Sequence, residues 1–272
     1  MKTLPVAVQV YSVREDAQRD FAATLKKLKE IGYDGVELAG LYGNAPETIR
    51  DILSEAGLKP VSAHVPFGDF RDGVEKTVND YKTIGCEYVA LPYLPEDMRP
   101  ANCDFNAVIG EIKTIGRACA DAGITLLYHN HDFEFEKLDD GEYLLDHIFA
   151  SVPRDLLKVQ PDACWIHVSG LNPAEYIRKY SSRCPVVHLK DYTGEKAAGM
   201  YELIGETKNS GAPAEKFQFR SVGKGKVNIP EVLSAAIDVG AKWVVVEQDF
   251  SLIQPMLDEV RASRDYLRSL GW

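Results

Sequence analysis

Short apolar, β-branched runs alternate eight times with longer amphipathic ones, glycines punctuate the joins, and polar residues gather where the apolar runs end. Together these observations predict an α/β fold, a single-domain (β/α)8 or TIM barrel over 1–272. The apolar runs fall at 6–11, 35–38, 60–64, 88–91, 124–129, 159–162, 186–188 and 243–247, lengths that suit buried parallel strands. Between them Phe21, Leu25, Leu28 and Ile31, and later Val108, Ile112, Ile115 and Cys119, recur at three- and four-residue spacing. That is the apolar stripe of a helix lying on a sheet. Gly32, Gly57, Gly85, Gly123 and Gly240 each stand where a helix must stop before the next strand. An open doubly wound sheet is the competing architecture, but no Gly-x-Gly-x-x-Gly follows the first run, and eight regular units favour closure. The long stretch 192–225, with six glycines, reads as a loop at the active face, either a lid or an ordered excursion over the barrel mouth.

Composition narrows the function. With 45% hydrophobic residues the chain has ample material for a core, and its formal charge of −10 opposes a phosphate backbone, so no nucleic-acid partner is expected. No run approaches the ~20 apolar residues of a membrane span, and Met1-Lys2-Thr3-Leu4-Pro5 leads straight into strand-like sequence. The expected location is cytoplasmic, with no membrane partner. Five cysteines, Cys86, Cys103, Cys119, Cys164 and Cys184, are scattered without Cys-x-x-Cys spacing, which points to reduced thiols. Gly-x-Ser-x-Gly and a Walker loop are both absent.

The densest chemistry is Leu126-Leu127-Tyr128-His129-Asn130-His131-Asp132-Phe133-Glu134-Phe135, an apolar strand whose exit carries two imidazoles and two carboxylates. Three more runs end alike: Val159-Gln160-Pro161-Asp162, Val186-Val187-His188-Leu189-Lys190-Asp191 and Val244-Val245-Val246-Glu247-Gln248-Asp249. Histidines and carboxylates on separate strand exits are the mixture that holds a divalent cation with positions open for a substrate. Taken singly, Asp162 or Glu247 could as well be a helix cap or a surface charge. Glu37 and His64 end the second and third strands and either bind sugar hydroxyls, move protons or sit satisfied in the core. Lys190 lies two residues past His188 and so on the same side; it either holds an enolate or phosphate or pairs with Asp191. Trp165 offers a stacking surface for a sugar ring or simply packs in the sixth loop, and Tyr11, Tyr93 and Phe67 could extend such a wall.

These motifs resemble the sugar phosphate isomerase/epimerase superfamily, the xylose isomerase-like barrels, near its inosose dehydratase branch. The resemblance spans essentially the whole chain and rests on Gly32-Tyr33-Asp34-Gly35-Val36-Glu37-Leu38, Ser62-Ala63-His64, His129-Asn130-His131-Asp132-Phe133-Glu134-Phe135, His188-Leu189-Lys190-Asp191 and Val245-Val246-Glu247-Gln248-Asp249. It implies a divalent metal (Mn2+, Co2+, Mg2+ or Zn2+) on Asp162, His188 and Glu247. The fifth-strand position, a Glu in the relatives, is His129 here. Either His129 is the ligand or Glu134, five residues on, swings back; register favours His129 and leaves Glu134 as a proton carrier. The roles so implied are His129, Asp162, His188 and Glu247 on the metal, Glu134 or Glu247 as base, His131 as partner acid, and Lys190, Glu37, His64 and Trp165 around the sugar.

The expected function is a metal-dependent sugar or sugar phosphate isomerase or epimerase working through an enediolate on a small carbohydrate. A keto-sugar dehydratase or lyase uses the same site and is the first alternative; the His-x-His is similar to the inosose dehydratase branch. A non-catalytic sugar-binding barrel is the alternative from another class. Metal-dependent DNA repair is disfavoured, because six histidines and a charge of −10 suit neither a trinuclear zinc cluster nor a DNA backbone. The C-terminal segment ending Leu267-Arg268-Ser269-Leu270-Gly271-Trp272 suits either a barrel helix or a contact in a homo-oligomer.

Overall fold

The computed structural model describes residues 2–196 and 217–272. Its strands are β1 (Val6–Gln9), β2 (Gly35–Ala39), β3 (Lys59–His64), β4 (Tyr88–Leu91), β5 (Thr125–His129), β6 (Lys158–Gln160), β7 (Val186–Leu189), β8 (Asp191–Gly194), β9 (Phe217–Arg220) and β10 (Trp243–Val246). Eight of them form one sheet in the order β6-β5-β4-β3-β2-β1-β10-β7, parallel at every pairing. Between its two ends Asp162 and His188 form a parallel bridge, the His188 N–H reaching Pro161 O at 2.9 Å and the Val159 N–H reaching Arg183 O at 2.9 Å. The ring therefore closes as the expected (β/α)8 barrel.

Helices cover the outside for the reasons the sequence suggests. The helix Phe21–Ile31 begins where Asp20 accepts the Ala23 N–H at 2.9 Å, and ends at Gly32, whose φ of +100° strains any side chain. Its Leu25, Leu28 and Ile31 are at most 1% exposed, each worth about 2 kcal/mol of burial. The C-terminal helix Met256–Ser269 returns to this first unit: the Tyr33 hydroxyl donates to Val260 O (2.7 Å), and Arg264 and Arg268 donate to Gly32 O and Ile31 O (2.8 and 2.6 Å). That segment is a barrel helix. Among the described residues no helix is long and apolar enough to cross a membrane, and all five cysteines are free.

Inside the ring, strand alternation stacks side chains in tiers two residues apart. Ala7, Leu127, Val186 and Val245 belong to an apolar plug with Val61, Tyr88 and Ala90. One step up come Gln9, Glu37, His129, His188 and Glu247, all at most 4% exposed. A further step brings Tyr11, Ala39, His131, Lys190 and Asp249, which line an open cavity. Polar groups thus sit only where strands end, above a dry floor.

The stretch 192–225 is described only in part. β8 and β9 form an antiparallel hairpin, and 197–216 lie outside the described residues. Asp191, at the start of β8, accepts four backbone N–H groups, from Tyr192, Gly223, Gly225 and Val227, at 2.8 to 3.0 Å. Gly225 is required there, since a Cβ would lie 2.1 Å from Asp191 Oδ1.

Candidate active site

The four predicted ligands converge. One ligand atom from each of His129, Asp162, His188 and Glu247 lies within 4.8 Å of the others, at the ends of β5, β6, β7 and β10. His129 Nε2 is 4.0 Å from Asp162 Oδ2 and 3.9 Å from Glu247 Oε2, while His188 Nδ1 is 3.1 Å from Glu247 Oε2. Asp162 does double duty: Oδ1 caps the helix Ala163–Val168 by accepting the Trp165 N–H (2.9 Å), and Oδ2, fully buried, has no hydrogen-bond partner among the described residues. The helix-cap and ligand readings of this residue are therefore compatible.

The electrostatics suit a bound cation. Burial pushes the Asp162 carboxyl up to about 7, since nearby Lys190 does not offset the loss of water. Burial, with the His188 and His64 rings adding to it, holds His129 well below its usual range, hence neutral, the form that ligates metal. Burial would raise Glu247 as well, but Lys190 and His188 outweigh it and keep the carboxylate ionised. A carboxylate oxygen and a neutral imidazole with so few partners, buried side by side, suit a divalent ion of the zinc or manganese type.

In the same tier as this cluster lies Glu37, which the resemblance placed around the sugar. It is fully enclosed and takes hydrogen bonds from Gln9 Nε2 (2.7 Å), Ser62 Oγ (2.5 Å) and Gln160 Nε2 (2.5 Å). Its Oε1 faces His64 Nε2 at 2.9 Å and His188 Nε2 at 2.8 Å, the latter out of line for a hydrogen bond. Burial alone would raise this carboxyl; the two rings instead hold it well below the usual range. With Glu37 and Glu247 on either side, His188 is pushed up to about 10 despite its burial. Glu37 is not among the residues lining the cavity, and its carboxylate lies against the His64 and His188 rings, placed to orient them.

Glu134 also faces away from the cavity. It lies in a 3₁₀ turn, Phe133–Phe135, with Oε1 accepting the Leu94 N–H (3.0 Å) and the Tyr128 hydroxyl (2.9 Å), and Oε2 accepting the His131 N–H (2.7 Å). Completely buried, with its carboxyl pushed up by burial to about 7, it anchors the turn and presents no oxygen to the cavity or the ligand cluster. Trp165 takes the packing alternative in this structure. At 1% exposure its indole lies against the His131 ring (5.0 Å) and stacks on Phe217 (6.0 Å), so no face is open to a sugar. Phe67 is likewise buried away from the cavity.

The cavity above the cluster, about 370 Å³, is lined by Tyr11, Tyr93, Pro66 and Pro92 on apolar walls and by His64, His129, His131, Lys190, Glu247, Asp249 and Asp69. Lys190 does not pair with Asp191: its Nζ lies 2.7 Å from Asp249 Oδ1 and 3.4 Å from Glu247 Oε2. His131 lies flat on Phe133 at 5.3 Å, and its Nδ1 is buried with no hydrogen-bond partner among the described residues. Burial, helped by Lys190, keeps it neutral. Asp249, Gln9, Ser62, Gln160 and Asp69 were not assigned from sequence. The two-residue period past Glu247 and Ala7 signals Asp249 and Gln9; nothing in the sequence signals Asp69, which sits on the short helix Phe67–Arg71.

The fold is a barrel with a cluster of histidines and carboxylates that could hold a metal ion at the carboxyl ends of its strands. The chain belongs to the xylose isomerase-like TIM barrel family, whose model matches residues 25–270. It is 20% identical over 258 residues, 85% of this chain and 81% of the relative, to an inosose dehydratase from Geobacillus kaustophilus (strain HTA426). Its fold is like that of a sugar phosphate isomerase/epimerase from Parabacteroides distasonis ATCC 8503, with a TM-score of 0.79 at 19% identity over 99% of this chain and 95% of the other. It is also like that of an IOLI protein with a bound zinc atom, with a TM-score of 0.72 at 13% identity over 98% of each chain.

Proposed function

We propose that this protein is a divalent-metal-dependent lyase that removes water, or another group β to the carbonyl, from a keto-sugar or related hydroxyketone. The observation that carries this reading is the convergence of His129, Asp162, His188 and Glu247 at the floor of a cavity whose walls bring His131, Lys190 and Asp249 to the same point. His129, Asp162, His188 and Glu247 would hold a divalent cation, which would supply Lewis acidity toward a ketone and so acidify the adjacent C–H. Neutral His131, which lines the cavity, takes that proton. Lys190, fixed by Asp249, hydrogen-bonds the departing oxygen, and His131 returns the proton to it, so that one carbon–carbon double bond and one water result. Glu37 holds His188 in place throughout.

An isomerase or epimerase shares the site and draws support from the family at large. Against it, His129 occupies the strand-five position where a carboxylate would oppose Glu247, and Glu134 is turned away. The similarity to an inosose dehydratase also favours elimination. The test is to load the chain with manganese, cobalt or zinc and incubate it in D₂O with a panel of keto-sugars and keto-cyclitols. Metal-dependent deuterium entry next to the ketone together with a dehydrated product is expected. Exchange with isomerised or epimerised sugar and no dehydrated product would overturn elimination; no exchange with any metal would overturn the enzymatic reading and favour a sugar-binding barrel.

A further inference from the structure

Glu259, near the start of the C-terminal helix Met256–Ser269, is buried, does not line the cavity, and has both its oxygens taken up by serine hydroxyls. Ser221 Oγ donates to Oε2, and Ser251 Oγ donates to Oε1 at 2.6 Å. Enclosing a carboxylate for two neutral donors is a costly arrangement that a barrel helix does not itself require. The two serines belong to different segments at the carboxyl end of the barrel. Ser221 follows β9, and one turn further along the helix Ser263 Oγ accepts the Val222 N–H at 2.9 Å. Ser251 lies past β10, where its Oγ also accepts the Ile253 N–H at 3.0 Å and closes a turn. The segments touch where the Phe219 and Phe250 rings meet edge to face at 5.4 Å.

Each segment carries, two residues before its serine, a group that bears on Lys190. Asp249 Oδ1 lies 2.7 Å from the ammonium, and the centre of the Phe219 ring lies 5.0 Å from it. Glu247 at 3.4 Å and the Trp165 ring at 5.2 Å also face Lys190, but the barrel itself sets these, since Glu247 follows β10 directly and Trp165 sits in the helix Ala163–Val168. Phe219 lies instead on a hairpin outside the eight-stranded ring, and Asp249 on irregular chain. Ser12, accepting the Gln248 N–H at 3.0 Å, and Arg14, donating to Asp249 O at 2.6 Å, hold the near end of that chain, and Glu259 holds its far end. Resting on the assignment of Lys190 to the departing oxygen, we infer that Glu259 is a positioning residue: by clamping Ser221 and Ser251 together it sets the gap between Phe219 and Asp249, and with it the place of the Lys190 ammonium.

The test uses the metal-loaded full chain carrying lysine labelled with 13C at Cε. The Lys190 signal is identified by its loss in Lys190→Met, and the ring currents of Phe219 and Trp165 make it sensitive to the gap. Turnover on the keto-sugar panel, Tm and metal content are measured beside it. Ser221→Ala and Ser251→Ala each release one arm and Glu259→Ala releases both; the serine variants decide should the last unfold. Each serine variant is expected to move the Lys190 signal and lower kcat by about fivefold to tenfold, with KM within about twofold and metal at about one per chain. Ser251→Thr, which keeps the hydroxyl, is expected to restore both. In a Lys190→Met background the same alanines are expected to cost no further kcat, since no ammonium is left to place. An unmoved signal, an unchanged kcat, or the same fold-loss in the Lys190→Met background overturns the inference and leaves Glu259 a structural anchor. If the wild type turns over no substrate, or Lys190→Met turns over normally, the reading of Lys190 falls and the signal alone decides: movement in both serine variants upholds the positioning, and no movement overturns it.

Discussion

Glu134→Gln keeps the size of the side chain and removes one acceptor. The wild-type carboxylate receives three donors, Leu94 N–H at 3.0 Å, Tyr128 O–H at 2.9 Å and His131 N–H at 2.7 Å. At pH 8, above the value of about 7 to which burial pushes this carboxyl, the side chain carries its charge. In the glutamine the amide nitrogen must face one of the backbone N–H groups, leaving that donor buried and unmet at about 1–3 kcal/mol, while the remaining two bonds lose their charge assistance at roughly 0.5–1 kcal/mol each. That gross loss of about 2–5 kcal/mol is partly offset at pH 8, because the glutamine no longer buries a charge, so Tm is expected to fall by about 5 °C or less. Thermal unfolding at pH 8, paired with turnover measured well below the transition, checks it. Because the affected turn also holds the His131 backbone, kcat is expected to fall by less than about tenfold. An unchanged Tm with kcat reduced by about 10³ or more would refute the reasoning and restore Glu134 as the catalytic base.

Other expectations follow from the same contacts. Since the Glu134 carboxyl titrates at about 7 when folded and at 4.5 in its ordinary state, the stability it contributes is complete below pH 4.5 and lost as pH rises through 7; unfolding free energies of the wild type, measured by denaturant from pH 5 to 8, should contain a decline on the order of 3 kcal/mol that Glu134→Gln lacks. Stripping divalent ions with a chelator should lower Tm, and re-addition at about 100 times Kd should restore about 2.7 kcal/mol; Asp162→Ala should abolish that response, with bound metal by elemental analysis falling from about one per chain to near zero. Lys190→Met leaves Asp249 and Glu247 without their cation; turnover should drop by at least about 10²-fold while metal content stays near one per chain, and loss of the metal instead would make Lys190 part of the ligand support. Gly225→Ala forces a Cβ to 2.1 Å from Asp191 Oδ1 and 2.3 Å from Tyr192 O, so the clasp around Asp191 must open, costing about 1–3 kcal/mol by denaturant titration.

Much of the fold is legible in the chain because a closed parallel barrel imposes continuous apolar runs and a stop signal after each helix. Tyr88–Leu91 matches its predicted run in full, whereas the run at 6–11 is cut short at Gln9. There the Gln9 side chain accepts the Tyr11 N–H at 3.0 Å and turns the chain into a 3₁₀ helix, a choice made by one side chain that β propensity does not record. The candidate ligands stand out because each follows an apolar run at the right parity. Carboxylates off that parity are another matter. Glu134 lies past the strand, where a tight turn decides its direction, and sequence alone cannot tell an anchor enclosed by N–H groups from a base facing a cavity. Glu37 keeps the right parity but lies one tier too deep, with Gln9, Ser62 and Gln160 brought over it from three other strands. Such crossings depend on the ring's stagger, which no single strand encodes.

The two-residue tiers also govern how this barrel can vary. A one-residue insertion within β5, β7 or β10 turns His129, His188 or Glu247 outward, and a two-residue insertion keeps the parity but lifts an aliphatic side chain from the plug into the metal floor. Length changes inside these strands are thus closed to descendants that keep the chemistry. Tyr11, His131, Lys190 and Asp249 stand one tier higher, where the strands give way to loops, so exchanges there can retune substrate choice while the floor beneath is inherited unaltered.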